Sequence, residues 1–430
     1  MMSFWIGPMR QHIPGRKELS EHEAILTLRP KECVYIPMVV GATSNLDILV
    51  QEGDHVCIGT KLAQCNERNV VPIYSSVSGT VKGFAKRMHS SLKQVEHMII
   101  ECDGKDEQIQ SFEPLDYESA SREQLIDFMM NAGIVGLGGA GFPAYIKYKF
   151  AKDVEKLIIN AVECEPFITA DYKLVFEYCD DLIRGTLAMK KMAMAKEAII
   201  AIKVTHKDMI DHVNKAIQGI DGIKVVAVPD VYPMGWERVL VREIMHKEYD
   251  RLPGEVGAIV NNETTAIAFG RALKYGEAIG LKTVTISGTA VKKPQNVQVP
   301  VGMCVKEIVE ACGGYTCEDV KIIAGGPMMG KTIVNDLFVI DRAMNAITIL
   351  ENKPFDSVEC LRCGKCSDHC PAGLQPVRIA QALKAKDKAR MEVLCAKDCI
   401  ECGLCTYICP SRLDVTENVR RAKRQLMMAK

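Results

Sequence analysis

The chain lacks an excess of either charge: 54 Lys and Arg stand against 54 Asp and Glu. That balance excludes a basic nucleic-acid binder. It also lacks any apolar run of about 18 residues, since the longest, such as Leu157 to Val162 and Ala198 to Val204, are short and bounded by charge. No bilayer span is therefore expected. The opening MMSFWIGPMRQHIPGRK has no apolar stretch before a small-residue cleavage site, so it does not read as a secretory signal and the expected compartment is the cytoplasm. No repeat of solenoid period occurs in residues 355 to 430. With 48% hydrophobic residues over 430 positions, two to four domains with cores of their own are expected.

Cysteine is what the chain does have. Of 18 cysteines, nine fall between Cys360 and Cys409, and the rest are scattered singly as buried reduced thiols would be. Cys360-x-x-Cys363-x-x-Cys366-x-x-x-Cys370-Pro371 and Cys399-x-x-Cys402-x-x-Cys405-x-x-x-Cys409-Pro410 are two copies of one pattern. Three thiolates within seven residues wrap one face of a cubane cluster, and in two-cluster ferredoxins the fourth Cys ligates the other cluster. By that rule one 4Fe-4S cluster takes Cys360, Cys363, Cys366 and Cys409, and the second takes Cys399, Cys402, Cys405 and Cys370. Zinc sites come as separated Cys-x-x-Cys pairs and need no third Cys at the same interval. Cys395 reads as a packing thiol and His369 as a solvated loop residue. Such a pair of clusters passes single electrons, so the donor has to be sought elsewhere in the chain.

Residues 1 to 105 alternate short β-rich runs with turns, the pattern of a small barrel or sandwich. The stretch from Val50 to Ala63 with Ser75 to Val81 is similar to the biotinyl and lipoyl carriers but has no carrier Lys, so its role reads as structural. An acidic linker follows. A capping box at Ser121 and Gln124 then starts a helix that Gly133 ends. Apolar strands at 156–160, 198–202 and 224–228 alternate with helical segments, as in an α/β domain. Residues 282 to 325 suggest a β-grasp-like unit closing with a strand at 321–324.

Gly136-Leu-Gly138-Gly139-Ala-Gly141-Phe-Pro143 places four glycines within six residues, with Lys147 following. Such a loop lets backbone N–H groups approach a phosphate. A tight structural turn accounts for it equally well, because it matches neither the Walker nor the Rossmann pattern. Asn160, Glu163, Glu165 and Asp171 follow an apolar strand, where α/β sheets bind ligands, although a helix cap is the alternative. Asn261, Asn262 and Thr265 follow another such strand.

Gly-Gly-Ala-Gly-Phe-Pro, Glu-Cys-Glu-Pro, Val-x-Asn-x-x-Thr, Gly325-Gly-Pro-Met-Met-Gly330 and the double cysteine motif occur in the same order as in RnfC, the ferredoxin-like and flavin-linked component of the Rnf electron-transport complex. The chain resembles that family over nearly its whole length. Its middle is similar to the FMN- and NADH-binding subunit of respiratory complex I.

The resemblance implies a multidomain α/β plus β architecture. Residues 1–105 would form a barrel-sandwich hybrid, 115–275 an FMN/NADH-binding α/β domain, 280–330 a β-grasp (SLBB-like) domain and 350–430 a dicluster ferredoxin domain. Gly136, Gly138, Gly139, Ala140, Gly141, Phe142, Pro143 and Lys147 would then face FMN and NADH. Asn160, Glu163, Glu165, Asp171 and Glu237 would line the same cleft, with Asn261, Asn262 and Thr265 on the flavin.

The implied activity is an NADH-dependent oxidoreductase subunit that takes electrons from NADH through FMN and passes them singly through two 4Fe-4S clusters. The implied partners are other electron-transfer subunits or a soluble reductase, with the chain cytoplasmic or peripheral on the cytoplasmic membrane face. Two departures from the family stand out. Its Tyr-Pro-Gln-Gly-Gly-Glu-Lys reads Tyr232-Pro-Met-Gly-Trp236-Glu237-Arg238 here, and Gln-His-Ile-Gly-Ala-Pro reads Val39-Val-Gly-Ala-Thr-Ser. Trp236 opens the alternative of a relay and docking adapter without an NADH site, and a cobalamin reductase is a third reading.

Overall fold

The structure, a computed structural model, describes residues 13–41, 43–64, 70–139 and 141–428. The α/β domain is built on a four-stranded parallel sheet in the order Ile223–Val228, Glu197–Lys203, Lys156–Ala161, Ala258–Asn262. These strands are near-continuous Ile, Val and Ala because helices cover both faces. Lys156–Ala161 is the first of these four strands in chain order, and Glu197–Lys203 and Ala258–Asn262 flank it on opposite sides. The connections therefore reverse direction between Lys156–Ala161 and Ala258–Asn262, where open α/β sheets leave a crevice at their carboxyl ends. The helix Arg122–Asn131 precedes the sheet, and its predicted capping box at Ser121 and Gln124 is present.

The N-terminal barrel-sandwich combines a four-stranded sheet (Cys33–Pro37, Gln94–Cys102, Gly79–Met88, His55–Val56) with a three-stranded one (Asp47–Ile48, Lys61–Gln64, Ile73–Tyr74). The first residues of the 1–105 stretch do not stay within it. Leu26–Thr27 pairs in parallel with Gln295–Pro300 at the edge of the β-grasp sheet. Gly15 accepts a hydrogen bond from Phe167 N in the α/β domain, at 2.7 Å.

The β-grasp domain also departs from expectation. Its hairpin, Leu281–Ser287 and Gln295–Pro300, and its helix Val305–Ala311 lie as the sequence suggests. The strand that closes the sheet is not Val320–Ala324 but Ala346–Glu351, which runs parallel to Leu281–Ser287. The unit thus extends past residue 330 to Glu351. Val284, Ile286, Val297, Ile308, Ile347 and Ile349 fill its core.

The cysteine-rich region closes the chain with short helices and the terminal helix Val415–Met428, around a small core of Ile379, Met391, Val419 and Leu426. Among the described residues no helix is long and apolar enough to cross a membrane.

Candidate functional site

The two strand ends that flank the crevice carry the polar residues singled out in the sequence. Asn160 and Asn262 are register partners. Asn160 donates to the Gly235 carbonyl (2.8 Å) and accepts from Val162 N (3.1 Å). Asn262 caps the helix Glu263–Tyr275 and donates to Asp171 (3.1 Å) and Glu263 (2.7 Å). Asn261 instead turns to the buried hydroxyl of Tyr148.

The glycine loop folds back on itself, with Gly136 N bonded to Phe142 O (2.8 Å) and Gly141 N to Gly136 O (2.9 Å). Thr265 holds it from one side by accepting from Leu137 N (3.0 Å), and Lys282 from the other by donating to Leu137 O (2.8 Å). A Cβ at Gly138 would lie 2.9 Å from the side chain of Asn262, so the loop approaches the strand end as only glycine permits. Gly139 has φ +107° with open space beyond it. Gly139 and Gly141 line a cavity with Ser91, Lys331 and Arg342. Phe142 is exposed and Pro143 buried, while Ala140 lies outside the described residues.

Lys147 is placed differently from its expected role as a free phosphate-binding charge. Its ammonium donates to the Val260 carbonyl (2.6 Å) and pairs with Glu237 at 3.7 Å, and burial lowers its pKa.

The acidic residues separate into two groups. Asp171, with Glu163 and Glu263, forms a buried cluster that accepts from Asn262, Thr264 and Lys17. Glu163 accepts from Asp171 N (3.1 Å) and pairs with Lys17 at 3.3 Å. The Lys17 ammonium also donates to the carbonyls of Glu163 and Glu165, both at 3.0 Å, and to that of Ile168. Burial raises Glu163 and lowers Lys17, and their mutual attraction opposes both shifts. Glu263 is fully buried, and burial reinforced by the Asp171 charge holds it well above the ordinary carboxylate range. Its Oε1 has no hydrogen-bond partner among the described residues.

Glu165 belongs to a different structure. Its two oxygens accept from Met328 N (3.1 Å) and Met329 N (2.9 Å), and burial raises its pKa to about 7. It thereby fixes the Gly325–Gly330 loop. Tyr232, 3.5 Å from the same carboxylate, donates to the Cys402 carbonyl at 2.6 Å. Gly403 sits against the Met328 carbonyl, with no room for a Cβ.

The cysteine motifs fold as two equivalent turns. Arg362 N approaches Cys360 Sγ and Glu401 N approaches Cys399 Sγ, each at 3.4 Å. Gly364 and Gly403 take φ +79° and +80° before short helices that carry Cys366 and Cys405. Cys370 lies with Cys399, Cys402 and Cys405 around one cavity, also lined by Pro371 and Thr416. Cys360, Cys366 and Cys409 are half-buried and Cys363 is exposed. Two minor expectations fail: His369 is buried, its Nδ1 2.8 Å from Lys365 O, and Cys395 is exposed.

A cleft of about 650 Å³ runs between the α/β domain and the second cysteine turn, with Trp236, Glu237, Met329 and Cys399 in its walls. Arg420 binds Glu401 (2.7 Å), and Lys423 donates to the Cys399 carbonyl (2.7 Å).

Lys17, Glu263, Tyr232 and Arg342 are site residues that sequence reasoning misses. Only Tyr232 carries a signal, since it heads the Tyr-Pro-x-Gly segment.

Four family models match in the order of the domains. They are the RnfC barrel sandwich hybrid domain (residues 10–105), the Nuo51 FMN-binding domain (129–271), the SLBB domain (283–332) and the 4Fe-4S dicluster domain (345–413). The RnfC-type component of the Na(+)-translocating ferredoxin:NAD(+) oxidoreductase complex of Acetobacterium woodii is 33% identical over 97% of this chain and 96% of its own length. The chain belongs to the RnfC family. A second RnfC-family relative, from the proton-translocating ferredoxin:NAD(+) oxidoreductase complex of Clostridium ljungdahlii, is 33% identical over 86% of the chain and 82% of its own length. Among solved structures, an NAD+-reducing [NiFe]-hydrogenase matches at a TM-score of 0.50 and 17% identity, over 73% of this chain and 62% of its own, which speaks to fold alone. As an RnfC-family member the chain is an oxidoreductase subunit with an FMN-binding domain and a dicluster domain for two 4Fe-4S clusters.

Proposed function

We propose that this RnfC-family chain oxidises NADH at the crevice between the strand ends and delivers single electrons first to the cluster of Cys399, Cys402, Cys405 and Cys370. The cluster of Cys360, Cys363, Cys366 and Cys409 then hands them to a partner. The observation that carries this order is the buried bond from Tyr232 to the Cys402 carbonyl, which fastens the second cysteine turn to the α/β domain. Cys402 is 7% exposed, whereas Cys363 is open to solvent.

The residues present suit FMN. Gly139 brings backbone close to open space beside a cavity that it lines with Gly141. The glycine loop with Asn160, Asn262 and Thr265 would hold the flavin, and Glu163, Asp171 and Glu237 would frame the site. Bound FMN supplies the exchange between a two-electron donor and one-electron carriers. The chain's own groups keep the pocket dry and electrostatically closed: Lys17 neutralises Glu163, and a protonated Glu263 spares Asp171 a second buried charge.

Trp236 narrows one wall of the cleft, yet about 650 Å³ remains beside Glu237, within the range of roughly 300–1,000 Å³ usual for small-molecule sites. This supports NADH access over the closed-site adapter. The partners would be further electron-transfer subunits, as the relatives' names imply, or a soluble reductase.

The test is NADH-driven ferricyanide reduction by protein loaded with FMN and both clusters. The expected result is turnover in the native chain, and little change in Trp236→Gly. An inert native chain rescued by Trp236→Gly would install the adapter reading instead.

A further inference from the structure

Away from the flavin and cluster sites, the N-terminal domain brings three side chains of metal-binding type together from two segments, with a fourth carboxylate behind the histidine. An imidazole nitrogen of His55, the Cys57 sulfur and a Glu107 carboxylate oxygen all lie within 4.8 Å of one another. Asp103 Oδ2 is 3.0 Å from His55 Nε2, and Glu107 Oε2 is 4.0 Å from the same nitrogen. A tetrahedral zinc site with metal bonds of about 2.0–2.3 Å separates its ligand atoms by roughly 3.3–3.7 Å. The Glu107-to-His55 distance lies just beyond that span.

The backbone fixes these positions before any ion binds. His55 lies on a strand paired with Gly79–Met88, and Cys57 follows at the alternate position, so both side chains leave the same face. The segment carrying Glu107 is bonded alongside, Ile58 N to Glu107 O at 2.8 Å and Ile109 N to Ile58 O at 3.0 Å. Cys57 N is held by Thr60 Oγ1 at 2.9 Å.

The carboxylates are oriented by outer hydrogen bonds. Asp103 Oδ1 accepts from Ser78 Oγ (2.6 Å) and Lys105 N (2.9 Å), which leaves Oδ2 facing His55. Ser78 Oγ also accepts from Glu107 N at 3.2 Å, so one hydroxyl bridges Asp103 and Glu107. Lys105 Nζ lies 3.7 Å from Glu107 Oε1, the oxygen not paired with His55. Ligands oriented by such second contacts, with one sulfur, one nitrogen and one carboxylate oxygen, match the preference of zinc more closely than that of calcium or magnesium.

We propose that His55, Cys57 and Glu107 bind a zinc ion that clips the segment after Cys102 to the barrel-sandwich domain, with Asp103 positioning the His55 ring. By joining His55 and Cys57 to the segment that carries Glu107, the ion would serve a structural role.

The experiment counts metals on the full chain with both clusters assembled, because the cluster cysteines would otherwise compete for zinc. Protein equilibrated with micromolar zinc and passed through a desalting column should hold one zinc beside its full complement of iron. Glu107→Gln and Cys57→Ala should lose that zinc with iron unchanged. Ser78→Ala, which removes only an orienting bond, should weaken zinc by roughly 10–100-fold in a competition titration against a chromogenic chelator. The assignment is overturned by zinc retained in the Cys57→Ala protein, by zinc entering only as iron leaves, or by no zinc bound at micromolar concentration.

Discussion

Replacing Lys17 with Met should destabilise the α/β domain even though Lys17 lies outside it in sequence. The substitution keeps the aliphatic stem and deletes an ammonium that serves Glu163 and three backbone carbonyls. Removing one partner of a buried pair typically costs about 3–5 kcal/mol, because the remaining charge is left uncompensated. The readout is amide exchange in the strand Lys156–Ala161, whose opening exposes that cluster. A loss of that size corresponds to exchange faster by roughly 150- to 5,000-fold.

The effect also has a pH sign. Without Lys17, only burial and Asp171 act strongly on Glu163, so its pKa in the folded protein rises further above the ordinary 4.5. A carboxylate raised on folding contributes stability that is complete below its unfolded pKa and fades as pH climbs through the folded value. The variant should therefore be closest to the native protein near pH 5 and weakest near pH 8. Adding Glu163→Gln should recover at least half of the loss. A variant that exchanges within about fivefold of the native chain at pH 8, or equally at both pH values, would refute the buried-pair argument.

Three further outcomes are expected. Anaerobically reconstituted protein should hold about eight irons, and Cys370→Ser should damage the cluster of Cys399, Cys402 and Cys405 rather than that of Cys360, Cys363 and Cys366, as selective loss of one electron paramagnetic resonance signal would report. FMN should bind near 1:1 by fluorescence titration and fail to bind Gly139→Val, since φ +107° is closed to a β-branched residue and the added bulk would fill the open side of the loop. On the terminal helix, Arg420 and Lys423 are engaged with Glu401 and the Cys399 carbonyl, whereas Arg421 and Arg424 are exposed. Arg421→Gln with Arg424→Gln should slow reduction of a protein partner at low salt only, with ferricyanide turnover unchanged.

The parts legible in the sequence are those whose chemistry is local. The eight cysteines of the two repeated motifs, four glycines in one loop and a capping box at Ser121 each state their geometry within a few positions. Asn160 and Asn262 can be suspected singly, because each follows an apolar strand, but only the parallel register makes them neighbours. Lys17 is invisible in the sequence, as 146 residues separate it from Glu163 and nothing around it is patterned. Glu165 reads as a cleft residue from its position after a strand, and its service to Met328 and Met329 depends on a loop from another domain. The closing β-grasp strand is easily misplaced because Val320–Ala324 and Ala346–Glu351 are both short apolar runs, and only parallel pairing to Leu281–Ser287 distinguishes them.

The short strand Leu26–Thr27 and the Lys17 side chain act as a staple drawn across domain borders. Cutting the chain at those borders would leave the flank of Gln295–Pro300 bare, the kind of edge that recruits other strands. It would also strand Glu163 without its counter-charge. A flavin domain excised at residue 115 is thus an incomplete object, and a peptide spanning residues 13–28 supplied in trans is the natural complement to it.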